Sequence, residues 1–309
     1  MSDQSAFTWP EGVAVFERGW LSSNNILLTG PDSTALVDTG YCTHADQTLA
    51  LVAGGLNGRT LDVVVNTHLH SDHCGGNAAF QSAYPALKTW IPPGHAPYVT
   101  DWDPYALSYT PTGQSCPQFR FDSLLVPGTD LMLGGRAWQV HAAPGHDPHS
   151  VILFQPDARI LISADALWEA GFGVVFPELD GDDAFGAVAD TLDLIEQLQP
   201  NVVIPGHGAP FQAVARSLAV ARARLAGFVA NPAKHRRYGE KALLKFKLLE
   251  VQQMPRDVLV AWAAATPFFA SLHPPEGAQG TLEEAVDALV ADLARSGAVT
   301  VERGVIYNA

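Results

Sequence analysis

The chain has 309 residues, 47% of them hydrophobic, and a formal net charge of −14. That length accommodates one large domain plus a smaller one, and no apolar run approaches the roughly 20 residues of a membrane span. Three cysteines at unrelated spacings (Cys42, Cys74, Cys116) exclude a disulfide framework and a Cys-based zinc site, and the acidic balance argues against a general nucleic-acid binder.

The N-terminal ten residues carry neither a basic region nor an apolar stretch, so no secretion signal is read and a cytoplasmic protein without a membrane partner is expected. Short strands are predicted over 13–17, 25–28 and 35–38, then a helix over 43–53 that Gly54 and Gly55 would end. Residues 61–67, β-branched and apolar, read as a buried strand; 74–80 read as a Gly-rich turn opening a helix. Residues 92–127, rich in Pro, Tyr, Trp and Ser without periodicity, form a long insertion of the kind that serves as a lid or stays disordered. Strand patterns resume at 137–141, 151–154 and 160–163, followed by a helix over 183–198 and a strand over 201–204.

Beyond about residue 230 the pattern changes. Helices are predicted over 236–251, 255–265 and 282–296, with a hairpin over 298–301 and 305–307. Three helices followed by a hairpin form a winged-helix pattern, so the boundary is placed between 1–230 and 231–309. Charge is unevenly spread. Residues 1–211 hold 23 acids and 6 Lys/Arg (−17), 212–247 hold one acid and 9 Lys/Arg (+8), and 248–309 hold 8 acids and 3 Lys/Arg (−5). The basic band, with Lys234, Arg236 and Arg237, reads first as solvated helix faces and leaves open a contact with an anion.

Residues 68–73 read His68-Leu69-His70-Ser71-Asp72-His73, four potential metal ligands in six positions on the loop leaving a strand. In extended chain His68 and His70 point to one side, and Asp72 and His73, past the bend, aim at a neighbouring point, which suggests two metal positions. Three further strand ends each carry a ligand type: Pro144-Gly145-His146, Ser163-Ala164-Asp165 and Pro205-Gly206-His207. Open α/β sheets place their sites at such strand ends. Histidines with carboxylates suit zinc first, with iron or manganese as alternatives. His44, His95, His141, His235 and His273 are assigned to structure or surface, and Cys74 to packing.

In this order the motifs resemble the metallo-β-lactamase superfamily over roughly residues 10–230: the His-x-His-x-Asp-His signature, Pro-Gly-His, the later Asp, the final Gly-His, and Asp38 within Leu36-Val37-Asp38-Thr39-Gly40. The resemblance implies an α/β fold, an αββα sandwich with a dinuclear centre at one edge. Carried over by motif, His68, His70 and His146 would hold one divalent metal, Asp72, His73 and His207 the other, and Asp165 would bridge them. Asp38 would support the ligands from behind. Such a pair lowers the pKa of a bridging water to about 7 and clamps attacking and leaving oxygens, with Asp72 orienting the hydroxide and passing its proton to the leaving group.

Asp165 points away from β-lactam cleavage, since true β-lactamases of the superfamily generally lack it. The run 165–173, including Trp168, resembles that of glyoxalase II-type thioesterases, whose next residue is usually Arg or Lys holding the glutathione carboxylate. Here that residue is Val174, which cannot make a charge-assisted contact. Where many members have Thr-Pro-Gly-Ser, this chain has Asp147-Pro148-His149-Ser150, and His149 is read as supporting the site or contacting substrate. The expectation is a dinuclear hydrolase of a small ester, thioester or lactone, with no oligomeric state fixed by the sequence and a homodimer compatible with it. The C-terminal pattern also resembles the β-lactamase-like protein 2 group, which makes a single-stranded RNA endonuclease the runner-up. A mononuclear iron persulfide-type dioxygenase is the third reading.

Overall fold

A computed structural model describes residues 7–273 and 281–309. The first half builds one sheet from β1 (Val13–Phe16), β2 (Asn25–Thr29) and β3 (Thr34–Val37), then α1 (Ala45–Leu56), β4 (Val63–Val65), α2 (Ser71–Cys74), α3 (Asn77–Ala83), β5 (Lys88–Ile91), α4 (Ala96–Thr100), α5 (Tyr109–Thr112) and β6 (Ser123–Leu124). The second sheet comes from β7 (Asp130–Leu133), β8 (Arg136–Ala142), β9 (Val151–Gln155), β10 (Ile160–Ala164) and β11 (Val202–Pro205), with α6 (Phe176–Asp180) and α7 (Phe185–Leu198) before β11 and α8 (Val214–Ala230) after it. Strand order is β1-β2-β3-β4-β5-β6 in the first sheet and β11-β10-β9-β8-β7 in the second.

Both faces of the central strands are covered, so they read as unbroken apolar runs, yet alternate positions serve different cores. Ile26, Leu28, Val37, Val65, Leu153, Ile162 and Ile204 meet between the sheets. Their neighbours Leu27, Leu36 and Val64 face outward to Val52 and Leu56 of α1 and Phe80 of α3. Ile152, Phe154, Leu161 and Val203 pack against Val188, Leu192 and Ile195 of α7 and Leu218, Ala221 and Leu225 of α8. The result is the αββα layering that the sequence led one to expect.

One expectation needs correction, and for the 92–127 insertion the alternative of disorder falls away. Helix α1 does not stop at Gly54-Gly55; it runs on to Leu56 and ends at Asn57 in the left-handed region, φ 50°. Gly55 is a packing residue: a Cβ there would lie 2.6 Å from Leu27 Cδ2. The 92–127 insertion is a folded wall, with Leu107, Tyr109 and Phe119 buried against Leu69, Cys74 and Ile91.

The C-terminal stretch consists of α9 (Pro232–Val251), β12 (Gln253–Pro255), α10 (Arg256–Ala265), α11 (Pro267–Leu272), α12 (Leu282–Arg295), β13 (Val299–Glu302) and β14 (Val305–Asn308). Three helices and the hairpin fall near their predicted spans; α11 and the third strand β12, which pairs with β14, were not foreseen. These elements share a core of their own around Leu244, Leu259, Phe269, Leu289 and Ile306. Tyr41 ties the parts together: its hydroxyl donates to Glu250 Oε1 on α9 at 2.9 Å and accepts from Ser115 N at 3.1 Å.

Candidate metal centre

The ligand types converge because they leave the carboxyl ends of strands from both sheets, β4 in the first and the co-directional β8, β10 and β11 in the second. Val65 of β4 precedes His68, Ala142 of β8 precedes His146, Ala164 of β10 precedes Asp165, and Pro205 of β11 precedes His207. The β10–β11 pairing shifts register between Ile162 and Ala164, and Ala164 adopts φ 46°. That bulge turns Asp165 out of the ladder; a non-glycine residue in this conformation is held there by its surroundings. Gly206 makes room for it, since a Cβ at that position would lie 2.2 Å from Asp165 Oδ1 and 3.0 Å from His73 Cε1.

Two groups of donors result: His68, His70 and His146, and Asp72, His73, Asp165 and His207, with the donor atoms of each group within 4.8 Å of one another. His146 Nε2 lies 3.3 Å from Asp165 Oδ2, so Asp165 stands between them.

Hydrogen-bond partners assign the tautomers. His146 Nδ1 donates to the Val174 carbonyl at 2.5 Å, leaving Nε2 as a lone pair. His68 Nδ1 faces Thr67 Oγ1 at 3.2 Å, and His70 Nε2 faces the Asp147 carboxylate at 3.8 Å. With the His70 proton on the Nε2 that faces Asp147, the remaining nitrogens present lone pairs to one another, His68 Nε2 to His70 Nδ1 at 3.1 Å and His70 Nδ1 to His146 Nε2 at 2.8 Å. In the second group His73 Nδ1 donates to Asp38 Oδ2 at 2.7 Å. His73 Nε2 is buried without a hydrogen-bond partner, and points toward Asp165 Oδ1 at 3.5 Å. Lone pairs facing lone pairs and carboxylates repel unless a cation stands between them, so the donor set fits divalent metal ions.

The electrostatics agree. Burial, with His73 and His70 nearby, holds His68 well below the usual imidazole range, and burial with His146 brings His70 to about 4. Burial would also lower His73, but Asp165, Asp38 and Asp72 outweigh it and raise it well above the ordinary value. A proton on His73 thus competes with a metal for one lone pair. Burial pushes the Asp165 carboxyl up, and His73 and His207 overcome that and hold it well below the carboxylate range.

Asp38 sits behind the centre at φ 58°, accepting from Thr67 N and Thr67 Oγ1 as well as His73. Trp168 Nε1 donates to Asp165 Oδ1 at 3.1 Å. His149, by contrast, is not brought to the centre. It is exposed, packs edge-on against His95 with centroids 4.5 Å apart, and takes no part in the cavity wall. The residue that backs His70 is its neighbour Asp147, buried and held below the carboxylate range despite burial by His70 and His95. Position 147 was visible in the sequence only as a departure from a common motif.

The structure also reveals supports with no sequence signal. Asn24 Nδ2 donates to the carbonyls of Pro205 and Gly208, Asn24 N to that of Gly206, and Ser23 N to that of Asp72. Trp20 stacks on His207, centroids 5.3 Å apart and planes at 12°. His235 Nε2 accepts from Val175 N at 3.1 Å, bracing the loop whose Val174 carbonyl orients His146. The centre opens into a cavity of about 1030 Å³ whose aromatic lining includes Trp20, Tyr105, Trp168, Phe176, Tyr238 and Phe268.

The family description "Metallo-beta-lactamase superfamily" matches residues 18–207. The chain belongs to this superfamily. It is 32% identical over 276 residues to a hydroxyacylglutathione hydrolase of Anaeromyxobacter dehalogenans, covering 84% of this chain and 94% of that one. It is 26% identical over 211 residues to the human acyl-coenzyme A thioesterase MBLAC2, covering 62% of this chain and 76% of the relative. Among solved structures, a metallo-beta-lactamase family protein from Thermus thermophilus superposes with a TM-score of 0.56 at 18% identity, over 96% of this chain and 99% of that one. This superfamily of hydrolases thus includes thioester-cleaving relatives of this chain. No helix among the described residues is long and apolar enough to cross a membrane.

Proposed function

We propose that the protein is a dinuclear metal-dependent thioesterase, with zinc as the first candidate for both ions and iron or manganese as alternatives. The observation that supports this reading is two adjacent donor groups, with Asp165 of one 3.3 Å from His146 of the other, opening on one large aromatic cavity. His68, His70 and His146 would hold one ion, Asp72, His73 and His207 the other, and Asp165 both. Bound there, divalent ions supply Lewis acidity and lower the pKa of a water to about 7.

The chain's own residues do the rest. Asp72 lines the cavity and its Oδ2 lies 3.1 Å from His207 Nε2. Its carboxylate would take the proton of the attacking water. As water oxygen bonds to the thioester carbonyl carbon and the C–S bond breaks, that proton passes to the leaving sulfur, giving a carboxylic acid and a thiol. Trp168 fixes Asp165 through its indole N–H, and the aromatic walls position the acyl group and exclude water. The 231–309 segment, taken as a winged-helix-like unit, would serve as a wall of this cavity. The RNA reading draws on the basic band, where Arg237 is engaged with Asp292 and Arg222 with Asp193 and Glu196.

Metal analysis of protein purified without added metal, paired with a panel of thioesters, esters and lactones, tests the reading. Two metal equivalents and thioester cleavage are expected; a single iron with oxygen uptake, or RNA cleavage without thioester cleavage, would overturn it.

A further inference from the structure

The basic band resolves into two kinds of residue, and this inference, resting on the thioesterase reading, concerns the thiol half of the substrate. Most of the band is spent or solvated. Arg222, Arg237 and Lys247 are paired with carboxylates, and Arg216, Lys234 and Arg236 are exposed. Lys245 donates to the Ala298 carbonyl at 2.6 Å and to Asn308 Oδ1 at 2.5 Å. Lys245 lines the cavity too, but its ammonium is taken up by these oxygens; Arg224 on α8 and Lys241 on α9 line the cavity half-buried without such bonds among the described residues. Neither has a carboxylate within 4.0 Å among the described residues. Glu169 and Asp180 line the same cavity and reach neither cation.

Arg224 is held in place rather than loose. Its guanidinium carbon lies 5.5 Å from the centre of the Tyr238 ring, and the Tyr238 hydroxyl donates to the Phe172 carbonyl at 3.3 Å. The guanidinium also occupies the space that a Cβ on Gly171 would need. It therefore abuts the loop that carries Val174, the position at which the resembling thioesterases carry their cation. A half-buried guanidinium in an aromatic cavity, fixed in orientation and without an anion, is costly unless a ligand brings the anion. In a chain of net charge −14, such a spot is a local exception to the field an anion meets elsewhere.

We propose that Arg224 and Lys241 determine specificity by receiving the anionic end of a carrier thiol, while the aromatic walls take an apolar acyl group. The charge absent at Val174 is supplied from the neighbouring helices α8 and α9. The ligand chemistry is a thioester whose thiol bears phosphate, as in coenzyme A, or carboxylate, as in glutathione.

The test measures kcat/KM for one acyl group carried by coenzyme A, by glutathione and by the neutral N-acetylcysteamine. Wild type should prefer at least one anionic carrier by about tenfold or more, and the arm that wins identifies phosphate or carboxylate. Arg224→Ala with Lys241→Ala should collapse that preference by about 10–100-fold, through KM, as expected for a lost charge-assisted contact. Arg224→Lys should restore part of it. A wild-type preference near one, or a preference unchanged in the double variant, overturns the proposal. Calorimetric binding of the uncleavable thioethers S-methyl-coenzyme A and S-methyl-glutathione separates the two readings. Binding that depends on Arg224 without any thioester cleavage sinks the thioesterase reading alone. Absent binding, or binding indifferent to both cations, sinks the anion assignment.

Discussion

Replacing Asp38 by Asn isolates what holds His73 in its ligating form. Asn is nearly isosteric and tolerates the positive φ of 58° that Asp38 adopts, so the backbone need not move. Its Oδ1 can still accept from Thr67 N, where the native distance is 2.9 Å. The other atom changes from acceptor to donor, and it faces both Thr67 Oγ1 and His73 Nδ1, 2.8 and 2.7 Å away in the native protein. The Thr67 hydroxyl can rotate to accept; His73 Nδ1 can accept only if the ring proton moves to Nε2, the atom that now points unpartnered into the second donor group. Metal binding must then reverse that tautomer against an amide donor. Loss of such a supporting partner costs about 10–100-fold in metal affinity, or about 1.4–2.8 kcal/mol. Competition titration with a chromophoric chelator, comparing the first and second equivalents, reads this directly, and melting of the metal-free proteins controls for folding. The second equivalent should weaken in Asp38→Asn while the first changes little. Unchanged affinity for both equivalents, with a properly folded variant, would show that Asp38 does not set the His73 tautomer.

Gly206→Ala should lower bound metal and activity together by at least about tenfold, and cost about 1–3 kcal/mol of stability, because its Cβ would meet Asp165 Oδ1 at 2.2 Å; a variant with full metal content contradicts the close approach. Chelation should lower the melting temperature: each ion present at a hundred times its Kd adds about 2.7 kcal/mol, worth roughly 4 °C for a protein of this size; identical melting curves with and without chelator would refute a folded-state metal centre. Burial lowers His235 to about 4, and its neutral ring accepts from Val175 N. Above pH 6.5 neither folded nor unfolded state protonates it; as pH falls from 6.5 toward 4 only the unfolded state does, so stability is lost across that window. The loss is on the order of 1–2 kcal/mol once solvent screening is allowed for. Denaturant titrations of wild type and His235→Gln, which keeps an acceptor, should diverge in that window, and parallel pH profiles would refute the assignment.

The convergence of the candidate ligands was legible because His and Asp gather at short spacing on strand ends, and Pro-Gly-His leaves its mark even in one sequence. The layers were legible because strands such as β9 and β10 are apolar on both faces. What escaped were contacts without a local signal. Asn24 braces Pro205 from 181 positions away, and no pattern in either segment announces it. Gly54-Gly55 looked like a helix stop because glycine's backbone freedom and its small size give the same letter; only the approach of Leu27 shows that size decided. His149 attracted attention as a histidine beside a candidate ligand, whereas the buried group at that place is Asp147, whose carboxylate faces the candidate ligand His70.

The cavity joins segments with separate histories in the chain. Its floor belongs to the strand-end loops, fixed by Asp38, Asn24 and Gly206. Its sides belong to the wall around Tyr105 and to helices α8 and α9. Substitutions on those helices can therefore retune which molecules enter while the reaction machinery stays as it is. Exchanges at Arg224, Tyr238 and Lys241 would alter that lining while leaving the donor groups at the floor in place.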